Sequence, residues 1–302
     1  MKLSLGSVVS GVERGWKSMH WACGLEGCQN HLFLRSVPQS RVGIRMGETW
    51  YCSIDCFVTA TRQRFALLTS GRSLDMPHTP RVSIASVLLL KGYLTEGELA
   101  CAESRSRSSG EDFEAVVVGT GLVDEWQLAS ARAIQWGYPV LGRDRMSQSV
   151  DAELPLTLMK EFSAVPLHYS SRAKRLVVGF VYRVEHSLLH SLERVTGCKA
   201  EPCFITPTEL HYQIERLEAA RESREVILDN SMTAAEVANV VGGLALDIRA
   251  RDVSLSRCRD DVWMRLSGKR QMTDVLFRVR RASVAQKCNT LGLSAESIQA
   301  AC

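Results

Sequence analysis

The sequence predicts a multidomain α+β protein, and three observations predict it. Four of the ten cysteines fall into two close pairs near the N-terminus, Cys23/Cys28 and Cys52/Cys56. A repeat with an offset of 29 residues and helical periodicity follows, and the last third alternates apolar and polar residues in short runs. At 302 residues and 45% hydrophobic content, the chain can bury two or three modest cores and does not have a disordered composition. The expected divisions are 1–75, a four-cysteine zinc knuckle with flanking helices; 81–220, helical hairpins followed by a small mixed α/β part; 231–282, a small α+β arm; and 283–302, a tail.

No apolar run approaches the roughly 18 to 20 residues that a membrane-spanning helix requires. The opening MKLSLGSVVSGVERGWK has a short apolar patch that Glu13 and Arg14 interrupt, which argues against a cleaved secretory signal. A cytoplasmic protein is expected. The net charge of +4 is too mild to imply nucleic acid or an anionic membrane by itself. Its distribution is uneven: residues 1–80 carry nine Lys/Arg against five acids, residues 81–248 carry 17 against 23, and residues 249–302 carry 11 against five. An acidic middle between basic ends suggests separate modules.

The cysteine pairs, CGLEGC and CSIDC, are what a tetrahedral zinc site needs, because each short pair supplies two thiolates from one tight turn. Gly24 and Gly27 let the first pair curl. Gly47, Trp50 and Tyr51 read as a turn and strand leading into the second pair, and CSIDCFVTATRQ reads as a helix start that places thiolates at the positive end of a helix dipole. A structural zinc also answers an energetic need, since a segment this small has a marginal core and the metal contributes roughly 10 kcal/mol or more. Cys23, Cys28, Cys52 and Cys56 close the coordination shell, so no chemistry is expected there; His20 and His31 flank the first pair as alternative ligands. The cluster resembles small treble-clef or ribbon-like zinc knuckles. Most of the other cysteines read as small buried hydrophobes.

In the repeat, residues 83–106 align with 112–135, pairing Gly92 with Gly121, Glu96 with Glu125, Leu99 with Leu128 and Ala102 with Ala131. Each copy reads as a helix ending near its glycine, then a second helix capped by Thr95 or Asp124. Here the chain resembles the N-terminal domain of the type II secretion and type IV pilus assembly ATPases, the GspE/PilB type, whose tandem phrase is approximately RLGxxLxxxGxLxxxxLxxALxxQ. The resemblance continues through GYPVL at 137–141, LPLTLMKEFSAVPLHY at 154–169, the strand RLVVGF at 175–180, and a helix, Thr-Gly turn, strand and final helix over 187–217.

That family can bind cyclic di-GMP on its tandem phrase. The resemblance carries the ligand positions onto Ile84, Leu88, Gly92, Leu99, Phe113, Val117, Gly121, Leu128 and Gln135. This chain departs from the pattern: Ser83, Ile84 and Ala85 stand where Arg, Leu and Gly are expected, Ser106 replaces Gln, and copy two has Asp112, Phe113 and Glu114. Carboxylates there would repel a dianionic ligand, so binding is not the leading expectation.

Residues 218–230 read as a charged helical connector. A Thr233–Glu236 capping box then opens an apolar helix, followed by strands at Val253–Cys258 and Val262–Leu266 joined through Arg259-Asp260-Asp261, and a third at Asp274–Val279. This arm is similar to the segment that leads into the motor of the same ATPases, with Ser254, Trp263 and Ser267 at positions where the family has His, Arg and Asp. No G-x-x-x-x-G-K-[ST] phosphate loop occurs in the 302 residues; Gly268-Lys269 lacks the first glycine and is followed by Arg270. Neither a G-x-S-x-G elbow nor a G-x-G-x-x-G loop is present, and His186/His190 lack the rest of a metalloprotease motif. The expected function is a non-catalytic adaptor or regulator that docks to proteins of a secretion or pilus complex. The alternatives are a cyclic di-GMP-responsive regulator and a zinc-dependent nucleic-acid-binding protein that stacks bases on Trp16, Trp21 or Trp50. For the adaptor reading, the candidate docking surfaces are the exposed face of the repeated hairpins and the basic strands around Arg257 to Arg270.

Overall fold

The structure is a computed structural model that describes residues 20–33, 43–70, 80, 82–142, 153–219 and 224–279. The chain divides into two compact units. One is formed from both ends, 1–73 with 226–270 and 275–302; the other is the middle, 74–225 with 271–274.

In the first unit, β1 (His20–Ala22) and β2 (His31–Phe33) form an antiparallel hairpin, and β3 (Ile44–Met46) and β4 (Thr49–Tyr51) form a second. Helix α1 (Ile54–Ser70) follows. The C-terminal part adds β8 (Arg224–Leu228), α9 (Ala234–Asp247), β9 (Asp252–Cys258), β10 (Asp261–Ser267) and β11 (Met272–Arg278). One six-stranded sheet joins them in the order β4-β3-β9-β10-β11-β8. The seam is a parallel pairing of β3 with β9, Arg45 opposite Asp252 and Met46 opposite Val253.

The segments expected as separate modules at 1–75 and 231–282 therefore share a sheet, and they also share a core. The reason is apolar surface that neither segment can bury alone. Phe57 and Phe65 of α1 are fully or almost fully buried among Val237 and Val241 of α9 and Val253, Met264, Val275 and Phe277 of the sheet. Phe65 meets Phe277 edge-on, with ring centroids 4.8 Å apart. Burying each such side chain stabilises by about 1.5–3 kcal/mol, a large share of what a domain of this size retains.

Two further expectations are corrected. The connector at 218–230 is not helical throughout: residues 224–228 are strand β8, because Val226, Ile227 and Leu228 suit a pleated surface beside β11. Trp50 is buried, at 7% exposure, and not a free stacking platform; it lies in β4 with the backbone of Gly43 against its indole. Trp16 lies outside the described residues, as does the side chain of Trp21. Elsewhere the capping box of α9 is present, with Thr233 and Glu236 exchanging hydrogen bonds, and the three expected strands are β9, β10 and β11.

The second unit opens with the repeat. α2 (Ile84–Leu90) and α3 (Glu96–Ser109) form one copy, α4 (Phe113–Gly119) and α5 (Glu125–Trp136) the other. Gly92 and Gly121 adopt left-handed φ of 67° and 73° between the helices, and Thr95/Glu98 and Asp124/Gln127 make equivalent capping boxes. Next come α6 (Leu156–Glu161), β5 (Ala164–Ser170), β6 (Arg175–Phe180), α7 (His186–Thr196), β7 (Lys199–Phe204) and α8 (Pro207–Ala219). β5 pairs with β6 antiparallel, and β6 with β7 parallel across the crossover helix α7. Val140 adds a parallel bridge beside Phe204, which uses the GYPVL segment.

Two outcomes follow. Phe57→Ala should lower unfolding stability in denaturant titrations by about 3–5 kcal/mol, and the loss of Trp263 burial should occur in the same transition as the loss of α1; separate transitions would mean the two ends fold independently. Gly43→Ala should cost more than about 1 kcal/mol, because Gly43 has φ of 84° and an added Cβ would lie 2.4 Å from the Tyr51 carbonyl oxygen; an unchanged melting temperature would contradict this.

Candidate metal centre and the degenerate ligand surface

Cys23, Cys28, Cys52 and Cys56 converge: their sulfur atoms all lie within 4.8 Å of one another. Local sequence builds the two turns. Cys23 N–H donates to Asn30 O at 3.0 Å and Cys28 N–H to Leu25 O at 3.1 Å, while Gly27 takes a φ of 82° that closes the turn. Gly24 donates to Trp50 O at 2.9 Å and must lack a side chain, since a Cβ would fall 2.0 Å from the Thr49 methyl group. On the other side, the Ser53 hydroxyl accepts from Cys56 N–H at 3.2 Å at the start of α1, so Cys52 and Cys56 sit at the helix N-terminus as expected.

The spacing has a chemical meaning. Sγ separations are 3.6 Å for Cys28–Cys52, 3.7 Å for Cys52–Cys56 and 3.8 Å for Cys28–Cys56. A disulfide needs about 2.05 Å, and all four cysteines are free thiols. Four thiolates at about 2.3 Å from a central ion at tetrahedral angles would be separated by about 3.8 Å. The four sulfurs thus have the number, type and spacing to hold one metal ion.

Their protonation is uneven. Burial opposes ionisation of Cys52, but the Asn30 amide donating to its sulfur at 3.4 Å, together with the neighbouring thiols, brings its pKa down to about 7. For Cys56 the Ser53 contact favours the thiolate, yet burial and the other three thiols push the pKa up to about 12. The Cys52 anion forms readily, and Cys56 resists joining it until a cation arrives. The side chains of His20 and His31 lie outside what the structure describes.

The nine positions carried over for cyclic di-GMP do not assemble into one open surface. Leu88, Val117 and Leu128 are buried with Val87, Leu94 and Val123 in the core of the hairpins, where Ile84 and Phe113 pack against them. Leu99 is half-buried, Gly92 and Gly121 are exposed at the turns, and the Gln135 amide donates to Val82 O at 2.7 Å. Glu114, read from sequence as a repelling carboxylate, forms an ion pair with Arg132. Arg132 is 3% exposed, donates also to Val181 O at 2.7 Å, and lies over the Tyr182 ring at 5.2 Å. Sequence reasoning misses this arginine. Its signal is a charged residue on the otherwise apolar face of α5, between Leu128 and Ala133.

Two arginines of the expected basic strand surface are engaged within the unit, whereas Lys269 and Arg270 are exposed. Arg257 donates to Leu68 O at 2.6 Å and to Arg259 O at 2.9 Å, and Arg265 is 7% exposed with its guanidinium 5.2 Å from the Trp263 ring. Among the remaining cysteines, Cys198, Cys203 and Cys258 are buried as expected, whereas Cys101 is exposed. No helix among the described residues is long and apolar enough to cross a membrane.

The chain matches no known family profile. Over 135 residues, 44% of the chain, it is 30% identical to the type IV pilus assembly ATPase PilB of Thermus thermophilus, and it spans 15% of that protein's length. A solved structure of MshE with cdg is similar at 19% identity and a TM-score of 0.38, covering 45% of this chain and 99% of that one. The N-terminal domain of XpsE is similar at 21% identity and a TM-score of 0.35, covering 47% and 97%. A little under half of this chain is accordingly similar in sequence to a part of a type IV pilus assembly ATPase.

Proposed function

We propose that this chain is a non-catalytic cytoplasmic adaptor, held together at its ends by structural zinc, whose central unit docks to proteins of a secretion or pilus machine. The observation that carries the reading is the 135-residue likeness to a pilus ATPase in a sequence without a phosphate loop. That loop is what brings backbone amides, a lysine and a hydroxyl onto a nucleoside triphosphate and its Mg2+ in P-loop ATPases.

Zinc is the metal that the donor set favours. Four thiolates in a tetrahedral arrangement, with no carboxylate or water position left open, select zinc over harder cations. Bound there, the ion supplies a cross-link between the first cysteine turn and the start of α1, and no reactive ligand position. The burial of Leu88, Val117 and Leu128 and the bond from Gln135 weigh against a cyclic di-GMP-responsive regulator. The burial of Trp50 removes one of the stacking groups on which the nucleic-acid reading relied.

Cobalt titration of the reduced apoprotein should give thiolate-to-metal charge-transfer bands at one equivalent, displaced by zinc, with the intensity lost in Cys28→Ala and Cys56→Ala; a spectrum indicating octahedral oxygen ligands would contradict the site. Partners captured by the intact protein should be lost when residues 82–219 are replaced by a flexible linker, and retention of the same partners would overturn the docking role of the central unit.

A further inference from the structure

One end of the first unit's sheet gathers cations from segments far apart in sequence. Asp252 starts β9 opposite Ser267, the last residue of β10, and also opposite Arg45 in β3. Arg251 N–H donates to Ser267 O at 2.8 Å, and Arg45 N–H donates to Arg251 O at 2.7 Å. The same end therefore carries Arg45, Arg249 and Arg251, and the turn leaving β10 adds Lys269 and Arg270. Arg45, Arg249, Lys269 and Arg270 are exposed, and Arg251 is half-exposed. Arg45 pairs with Asp252 at 2.6 Å.

Arg249 has an unusual backbone. It follows α9 with a left-handed φ of 51°, donating to Leu246 O at 3.0 Å while Ala250 donates to Ala245 O at 2.7 Å. This is the helix-ending turn in which glycine is the usual residue. An arginine stands there despite the strain, and the carbonyl end of α9 favours its charge. Just before it, α9 exposes Val240, Gly243 and Leu246, spaced to lie on one helical face; Leu246 is 60% exposed.

We propose that this apolar stripe and the cationic sheet end together dock an acidic amphipathic segment of a partner protein, its apolar side on Val240 and Leu246 and its carboxylates on Arg249, Arg251, Lys269 and Arg270. Charge complementarity selects the occupant. Arginine forks pair with carboxylates in two-bond geometry, and four of the five cations are arginines. Asp252 and the exposed Asp247 and Glu48 lie at or beside the cluster. A continuous polyanion, whether a nucleic-acid backbone or an anionic bilayer, would meet those carboxylates as well, whereas a folded peptide places its charges discretely and can offset them. The inference rests on the adaptor reading only in taking the partner to be a protein.

The test uses the full chain and short fluorescent peptides that share a leucine stripe and end in clustered Glu, Gln or Lys, with a DNA duplex and phosphatidylglycerol vesicles alongside. The Glu peptide should bind at least about tenfold more tightly than the Gln peptide, weaken with salt, and lose that advantage in Arg249→Glu/Arg251→Glu/Lys269→Glu/Arg270→Glu. Leu246→Ser should weaken the Glu and Gln peptides alike. Equal binding of the two peptides, binding of neither, or tighter binding of DNA or vesicles through the same residues would overturn the proposal. A failure here leaves partner capture by residues 82–219 unaffected, so the two readings fail separately.

Discussion

Four sulfurs within 4.8 Å of one another impose the condition on which the first unit depends. Thiolates cannot share that space as free anions, and thiols at those separations are not bonded to one another. A cation satisfies all four at once. Bound through Cys52 and Cys56, such an ion would fix the start of α1, and α1 carries Phe57 and Phe65 into a core whose other half comes from residues more than 150 positions later. β3, aligned in the same segment, closes the edge of β9. Residues 43–70 and most of 226–279 thus belong to one compact unit with a shared sheet and core.

The second unit obtains its order differently. Each hairpin is specified by local chemistry, with a glycine turn and a capping box in equivalent places. Between the two copies the repeat is not symmetric. Leu128 is buried where its counterpart Leu99 is half-exposed, and only the second copy has the buried Arg132. A buried arginine is costly unless paired, and Glu114, Val181 O and the Tyr182 ring supply its surroundings. The carboxylate that departs from the ligand pattern thus has a structural partner.

Much of the fold is legible in the sequence because its signals are short-range. Thr95 with Glu98, Asp124 with Gln127 and Thr233 with Glu236 announce helices within four residues, and the two cysteine pairs announce their own turns. What stays hidden is set at long range. The pairing of Arg45 with Asp252 joins residues 207 positions apart, and no local pattern distinguishes β3 as the neighbour of β9. β8 reads as helix because Arg224 and Glu225 look like helix-surface charges, whereas the apolar Val226 to Leu228 takes its conformation from β11. Trp50 looks like a surface ring because its cover is Gly43, whose contribution is the absence of a side chain. At the metal centre all four converging thiols are readable from the sequence, since thiol spacing is itself local.

Hydrogen exchange on the intact protein, before and after removal of its metal with a chelator under reducing conditions, addresses the central claim most directly. Protection should fall together in α1, β3 and β9 and remain in β5, β6 and β7. Protection in β9 that is indifferent to metal, or lost equally from both units, would contradict a thiol-bound ion as the clasp of the split domain.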